Sequence, residues 1–546
     1  MRTATGKWAL IVLFAAFISL PLCLSAFDIG RTSEEQMLSA ERRKPAERPP
    51  TPSSSAALES FPEKFELWFD DAFGGRSPLL LMNARTKVRL FRTSPYPKNV
   101  ILGKNGWLFL GPRWLNPVEQ YRGVDKFSES ELVAWTNSMR SRSEWLAARG
   151  VPMILVLAPG KHEIYPEMLP GWAREARRPK RVDQVAEILR DSTIHYVDPT
   201  DSLIAGKSTA PTYYATDSHW NSYGAFVAYK GTLDYLEEEF PHKVLRNLAD
   251  EPYRLKEELG EGLRLSAMLG FSSDDFTDLS VDVMIPGVPA PVEMLDSSGR
   301  HVRNIRSGEI PTARTLVVRQ PTFSNGAKVL VLRDSFTTSM SPFLSQSFGE
   351  AVYLSWDSPG GSEMTSFIER FQPDIVLFIL CSRCLAMAQE IHANWARPDG
   401  LLPSERFHAQ NEIQLSIDPS EVPDRLLAGG WSRPDGSDNE DLLTGAEVSS
   451  GRLSIKRLAS EWQGSSMVRF DVSSPDDASF QLTYCSELSG GKREFQSHVS
   501  YLFAGRNSVF IELPETAFIV QMRIEVSGTS GKFTLHGWEV RKMREG

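Results

Sequence analysis

The stretch SESELVAWTNSMRSRSEWLAARGVPMILVLAP, residues 128–159, decides the fold. Its first part carries helix formers behind a Ser128 or Ser130 cap and stops at Gly150. It then feeds directly into VPMILVLAP, an almost purely apolar run. A helix followed by continuous Val, Ile and Leu is the pattern of a parallel strand covered on both faces. The unit repeats along the chain. RRPKRVDQVAEILRDS (177–192) reads as helix and IHYVDP (194–199) as strand; SYGAFVAYKGTLDYLEEEF (222–240) reads as helix, and AKVLVLRDSF (327–336) and DIVLFIL (374–380) contain two more buried strands. The alternation predicts an α/β domain with a central, mostly parallel sheet. Residues 240–325 interrupt it with what reads as a loop-rich insertion.

Working outward, NVILGKNGWLFLG (99–111) reads as two short strands around a Lys104-Asn105-Gly106 turn. After about residue 420 the pattern changes: SMVRFDVSS, SFQLTYC, SVFIELP and FIVQMRIEVSG alternate apolar with polar. Val520, Met522, Ile524 and Val526 fall on one face and Gln521, Arg523 and Glu525 on the other. A C-terminal antiparallel β-sandwich fits best, over 425–546. Trp431, Trp462, Tyr484, Tyr501 and Trp538 are its candidate sugar-stacking rings, although aromatics also fill sandwich cores. At the other end, Arg2 and Lys7 precede an uncharged run from Trp8 to Phe27, long enough to span a hydrocarbon core. Residues 1–27 are expected to be a membrane anchor or a signal sequence, with the rest of the chain exported. Residues 28–60, rich in Pro, Ser, Glu and Arg, read as a flexible linker to a domain over 61–415.

The 60 Lys and Arg against 69 Asp and Glu give a net charge of -9, and no long basic run occurs, which argues against nucleic acid as a partner. Four cysteines exclude a disulfide-dense scaffold. Cys381-Ser-Arg-Cys384 has CxxC spacing but no second pair or nearby His for zinc, so a structural disulfide or buried thiols is expected rather than a metal or redox site.

Three strand ends carry reactive side chains, and ligands of such sheets sit at strand ends. Arg333-Asp334-Ser335 follows one strand, with a helix behind it whose N-terminal amides are suited to an oxyanion; the plainer alternative is that Asp334 or Ser335 caps that helix. In TDSHW (216–220), Asp217 and His219 project to one side of an extended segment, so Asp217 can orient His219 as a base; alternatively Asn221 caps a helix and His219 merely packs. The third end, LAPGKHEIYPE (157–167), holds Lys161, His162 as a competing base, and Tyr165.

Together these motifs resemble the AlgJ/AlgX alginate O-acetyltransferase family, which is SGNH hydrolase-like with a permuted motif order. The resemblance runs over roughly residues 60–390, through FELWFDDAFGGR, VILGKNGWLFLG, LVLAPGKHEIYPEMLP, TDSHW with GAFVAY, and VLRDSF about 110 residues later. It implies an SGNH hydrolase-like domain in which Ser335 is the nucleophile, His219 the general base and Asp217 its orienting partner. Lys161, Tyr165 and Arg333 match or replace motif positions and are expected near substrate. Arg333 stands where the family often has glycine; it either supplies positive charge or points away, which leaves the oxyanion hole open. The resemblance also implies a carbohydrate-binding β-sandwich, a polysaccharide acceptor, a multipass membrane protein as acetyl donor, and a periplasmic location anchored in the inner membrane. No metal or organic cofactor is implied. A carbohydrate esterase with the same triad, and a catalytically silent polysaccharide-binding or assembly subunit, are the alternatives.

Overall fold

The computed structural model describes residues 44–387, apart from 73–75, 176–178, 272–274, 289–290, 296–300, 307–315, 356–367 and 369–370. It also describes positions 8, 11–16, 19–20 and 23–24 and the strands between 413 and 542 given below. Nine of the twenty positions of the expected anchor over 8–27 lie outside the described residues. Among the described residues no helix is long and apolar enough to cross a membrane. Residues 55–60 of the expected linker lie within helix α1 (Ser55–Ala72).

The 99–111 stretch forms the antiparallel pair β1 (Val100–Leu102) and β2 (Leu108–Leu110). Asn105 and Gly106 both take positive φ, 53° and 81°, as a tight hairpin turn demands. Helix α2 (Glu129–Ala147) starts on a capping box: the Ser128 hydroxyl accepts the Glu131 amide, and the Glu131 carboxylate accepts the Ser128 amide at 2.8 Å. Gly150, at φ 73°, then turns the chain into β3 (Met153–Ala158), every residue of which is buried.

Next come helix α3 (Arg181–Arg190), β4 (His195–Val197) and helix α4 (Ser222–Glu239). The region expected to be loop-rich instead contains strands. β5 (Arg254–Glu261) and β6 (Thr277–Met284) form an antiparallel hairpin, while β7 (Pro291–Leu295), β8 (His301–Arg306) and β9 (Leu316–Arg319) join the main sheet. Charged and polar residues interrupt the apolar runs here, even in the eight-residue β5 and β6, so no run of the kind seen in β3 marks the region. β10 (Lys328–Arg333), helix α5 (Thr337–Ser347), β11 (Glu350–Ser355) and β12 (Ile375–Cys381) complete the domain.

The resulting eight-stranded sheet runs β4-β3-β12-β10-β11-β9-β7-β8. Its first five strands are mutually parallel and its last three antiparallel. β3, β10 and β12 lie at the centre with helices over them, which is why they read as unbroken Val/Ile/Leu runs. The rings of Phe226 and Tyr229 on α4 meet Phe343 on α5 at 5.2 and 5.5 Å, joining the two helices that follow the sites of interest.

In the C-terminal region every described pairing is antiparallel. β13 (Ile413–Ile417), β14 (Glu447–Ser449), β16 (Ser466–Ser474), β19 (Gly505–Leu513) and β21 (Lys532–Lys542) make a five-stranded sheet. β15 (Arg452–Lys456), β17 (Ala478–Glu487), β18 (Arg493–Leu502) and β20 (Phe518–Ser527) make a four-stranded one. Buried Val468, Phe470 and Val472 alternate with half-buried Arg469, Asp471 and Ser473. Phe470 of one sheet meets Phe480 of the other at 5.5 Å, as in a sandwich core. Tyr484 is part of that core, fully buried, with its hydroxyl donating to Gln496. It is therefore not a sugar platform. The side chains of Trp431, Trp462, Tyr501 and Trp538 lie outside the described residues.

Candidate active site

The segment 212–221 is a tight loop folded onto the start of α4. Asn221 caps that helix: its side-chain oxygen accepts the Gly224 amide at 2.9 Å and its amide nitrogen donates to the Pro211 carbonyl. Tyr213 and Trp220 bridge across the loop. Gly224 lets the helix sit on it, since a Cβ there would lie 2.0 Å from the Thr212 carbonyl oxygen. Capping and the Asp-x-His arrangement thus coexist.

Within the loop, the Asp217 carboxylate accepts the His219 backbone amide at 3.0 Å and lies 2.6 Å from His219 Nδ1. His219 Nε2 lies 2.7 Å from Ser335 Oγ, across 116 residues of chain. Burial works to raise the Asp217 pKa, but the bonds from His219 and the charges of His219 and Lys161 hold it below the usual carboxylate range. Ser335 is exposed, so the chain of bonds ends on a hydroxyl open to solvent.

The two halves are locked together by Trp220 and Phe336. The Trp220 indole N–H donates to the Phe336 carbonyl at 2.9 Å, and the Phe336 ring stands edge-on to Trp220 and His219, at 5.0 and 4.9 Å. Asp334 braces the serine turn. Its carboxylate accepts the amides of Phe336 at 2.9 Å and of Cys381 at 2.8 Å, while burial raises its pKa. The helix amides expected at an oxyanion are consequently engaged: Phe336 with the Asp334 carboxylate, Thr337 with the Asp334 carbonyl and Thr338 with the Ser335 carbonyl.

Lys161, Tyr165 and Arg333, expected near substrate, are only 3, 5 and 3% exposed. The Lys161 ammonium donates to the carbonyls of Tyr214, Ala215 and Asp217 at 3.1, 3.0 and 2.5 Å, matching its three donors. Burial pushes its pKa down to about 7, against the pull of the Asp217 and Asp278 carboxylates. The Tyr165 hydroxyl accepts the Thr212 amide at 2.9 Å. Both residues hold the Asp-x-His loop rather than reach outward. Arg333 falls on the sheet face that carries Tyr353, because Val331 pairs with Tyr353 and alternate residues share a face. His162 packs edge-on against Tyr121, and burial with the nearby cations Arg383, Lys180 and Lys161 pushes its pKa down to about 3.

Asp278, on β6, was not legible as a site residue. Its carboxylate accepts the amides of Ala215 at 2.9 Å and Thr216 at 2.6 Å, and the Thr216 hydroxyl at 2.5 Å. Lys161 takes the loop's carbonyls and Asp278 its amides. A lone Asp in a polar hairpin, 62 residues downstream, carries no local signal of this. Cys381 and Cys384 are buried thiols, not joined in a disulfide, with their sulfurs 3.0 Å apart. Among the described residues no group of side chains is arranged to hold a metal ion.

Residues 100–263 match the family model described as the SGNH hydrolase-like domain of acetyltransferase AlgX. Over that stretch the chain is AlgX-like. The match contains Lys161, Tyr165, Asp217 and His219 and ends before Ser335. Among solved structures, Pseudomonas aeruginosa AlgX is 14% identical, with 82% of this chain and 96% of that one covered and a TM-score of 0.45. Bacillus cereus PatB1 with a sulfonyl adduct is 17% identical, covering 52% and 97%, with a TM-score of 0.40. The O-acetyltransferase domain of Pseudomonas putida AlgJ is 15% identical, covering 53% and 92%, with a TM-score of 0.32. No curated protein matches this chain.

Proposed function

We propose that this protein is an exported O-acetyltransferase that moves an acetyl group through a Ser335 acyl-enzyme onto hydroxyls of an exopolysaccharide. The observation that carries the reading is the unbroken chain Asp217–His219–Ser335, with bonds of 2.6 and 2.7 Å, ending on an exposed hydroxyl. The AlgX-like match over 100–263 supports acetyl transfer as the reaction.

In this mechanism the Ser335 hydroxyl attacks the acetyl carbonyl while its proton passes to His219 Nε2. The donor's C–O bond breaks and the departing oxygen takes that proton, leaving acetyl-Ser335 and neutral His219. A sugar hydroxyl then gives its proton to His219 and attacks; Ser335 leaves and recovers the proton. Asp217 keeps the imidazole in the required tautomer and balances its transient charge. Residues 8–27 anchor the chain in the inner membrane with the catalytic domain in the periplasm, and a multipass membrane protein hands over the acetyl group. The C-terminal sheets hold the polymer.

The test incubates the purified protein with an activated acetyl ester and oligosaccharides, comparing it with Ser335→Ala. Acetylated sugar that disappears in the variant supports transfer. Free acetate alone, lost in the variant, replaces the reading with an esterase. Equal behaviour of the two proteins overturns both enzymatic readings.

A further inference from the structure

The Ser382–Cys384 turn that follows β12 is held on every side. β12 lies parallel to β10 with Leu332 opposite Phe378, so Ser335 and Cys381, each three residues on, leave the sheet at the same level. The Cys381 amide donates to Asp334, the residue before the candidate nucleophile, at 2.8 Å. The Ser382 hydroxyl donates to Glu163 at 2.9 Å and accepts the Gly160 amide at 3.1 Å. The Arg383 carbonyl accepts the Gln120 side chain at 3.2 Å.

Arg383 itself is half-buried, and its guanidinium carbon lies over the Phe336 ring, 5.9 Å from the centroid. The same ring also meets His219 edge-on, at 4.9 Å. Among the described residues the guanidinium makes no hydrogen bond and no ion pair. Its charge is felt by Asp334 and Asp217 without being bonded to either. A braced backbone that holds a half-buried cation, unbonded among the described residues, against the ring following Ser335 is a costly arrangement unless a ligand completes it.

We infer that Arg383 is the oxyanion-stabilising residue of this site, donating from its guanidinium to the carbonyl oxygen that becomes negative when Ser335 attacks. The inference rests on the acyl-enzyme reading above. In the turn itself the amides of Phe336, Thr337 and Thr338 are already engaged, so a side-chain donor would supplement the Ser335 amide. A positive charge aimed at developing negative charge lowers the barrier without tightening ground-state binding. In the step concerned, the Ser335 Oγ–carbon bond forms, the carbonyl π pair moves onto oxygen, and the serine proton goes to His219. Arg383 transfers no proton.

The test measures kcat/KM for p-nitrophenyl acetate, which reports acylation and carries no anion for Arg383 to bind. Arg383→Gln is expected to lose about 100-fold, across the neutral and mildly alkaline range, with its melting temperature unchanged. Arg383→Lys, which keeps a charge but not the planar fork, is expected to regain part of the loss. Wild-type kcat/KM in a folded Arg383→Gln protein overturns the assignment, since the cation would then serve an anionic part of the natural substrate or none. Recovery of the variant at higher pH also overturns it, because Arg383 would merely be keeping Asp217 ionised. If Arg383→Gln does not fold, Arg383→Lys decides: any loss in kcat/KM at unchanged KM supports the assignment, and no loss overturns it. Ser335→Ala separates the two levels. If it is as active as wild type, the acyl-enzyme reading itself fails; if it is inactive and Arg383 variants are unimpaired, only the Arg383 assignment fails.

Discussion

Asp278 shows how much of a site is built from residues that never meet a substrate. Its carboxylate holds two amides and a hydroxyl of the loop that carries Asp217. Asp278→Ala leaves all three donors buried without an acceptor, and is expected to cost about 3 kcal/mol in urea unfolding. The same variant should lose acyl transfer with little change in KM, because the loop that aims His219 is loosened. Asp217→Asn tests the proposed chemistry more directly. It keeps the shape of the loop but lets the imidazole take the wrong tautomer, so kcat for ester cleavage should fall on the order of 10⁴-fold while the melting temperature holds. Asp217, His219 and Ser335 stood out in the sequence because each follows or precedes a strand or helix whose pattern is strong. Asp278 and Arg383 did not, for physical reasons: one alternates with the apolar Leu279, Val281 and Val283 and so reads as an outward position of its strand, the other lies inside a Cys-x-x-Cys spacing that draws attention to sulfur. Lys161, Tyr165 and Arg333 were legible as positions but not as roles, since burial is decided by the whole fold.

At the level of elements, α4 carries two glycines whose surroundings differ sharply. Gly224 faces the Thr212 carbonyl, which a Cβ would approach to 2.0 Å, and neither backbone can yield without moving the Asp-x-His loop. Gly231, on the same helix, has nothing within 4 Å of an added Cβ. Gly224→Ala should therefore lower stability by about 2 kcal/mol, whereas Gly231→Ala should raise it by about 0.5–1 kcal/mol; thermal melts of the two variants give the contrast. Contiguous apolar runs made β3, β10 and β12 readable, and the cap at Ser128 and stop at Gly150 bounded α2. β7, β8 and β9 were missed because PVEML, HVRNIR and LVVR are too short and too charged to show a buried face. Their membership of the sheet is settled by β9 pairing to β11, with β7 added on β9 and β8 on β7, which no local pattern announces.

For the molecule as a whole, Glu163 links stability to pH. It lies where the Lys161–Ile164 helical turn meets the Ser382–Cys384 turn, and burial raises its pKa from 4.5 to about 7, against the bonds from Gly160 and Ser382. Between those two values the unfolded chain has released the proton that the folded chain retains. Stability from this group is thus greatest in acid and declines as pH rises through the window. Glu163→Gln should flatten that decline, which melting temperatures measured from below pH 4.5 to above pH 7 will read.

The indole bond from Trp220 to Phe336 joins segments that a ribosome makes far apart in time. The base and its partner emerge first; the hairpin bearing Asp278 follows, and the serine comes later still. On the acyl-enzyme proposal, a nascent or prematurely ended chain would hold the base loop with no acylable hydroxyl beside it, and reactivity would begin only once synthesis had passed β10 and the sheet had closed around it.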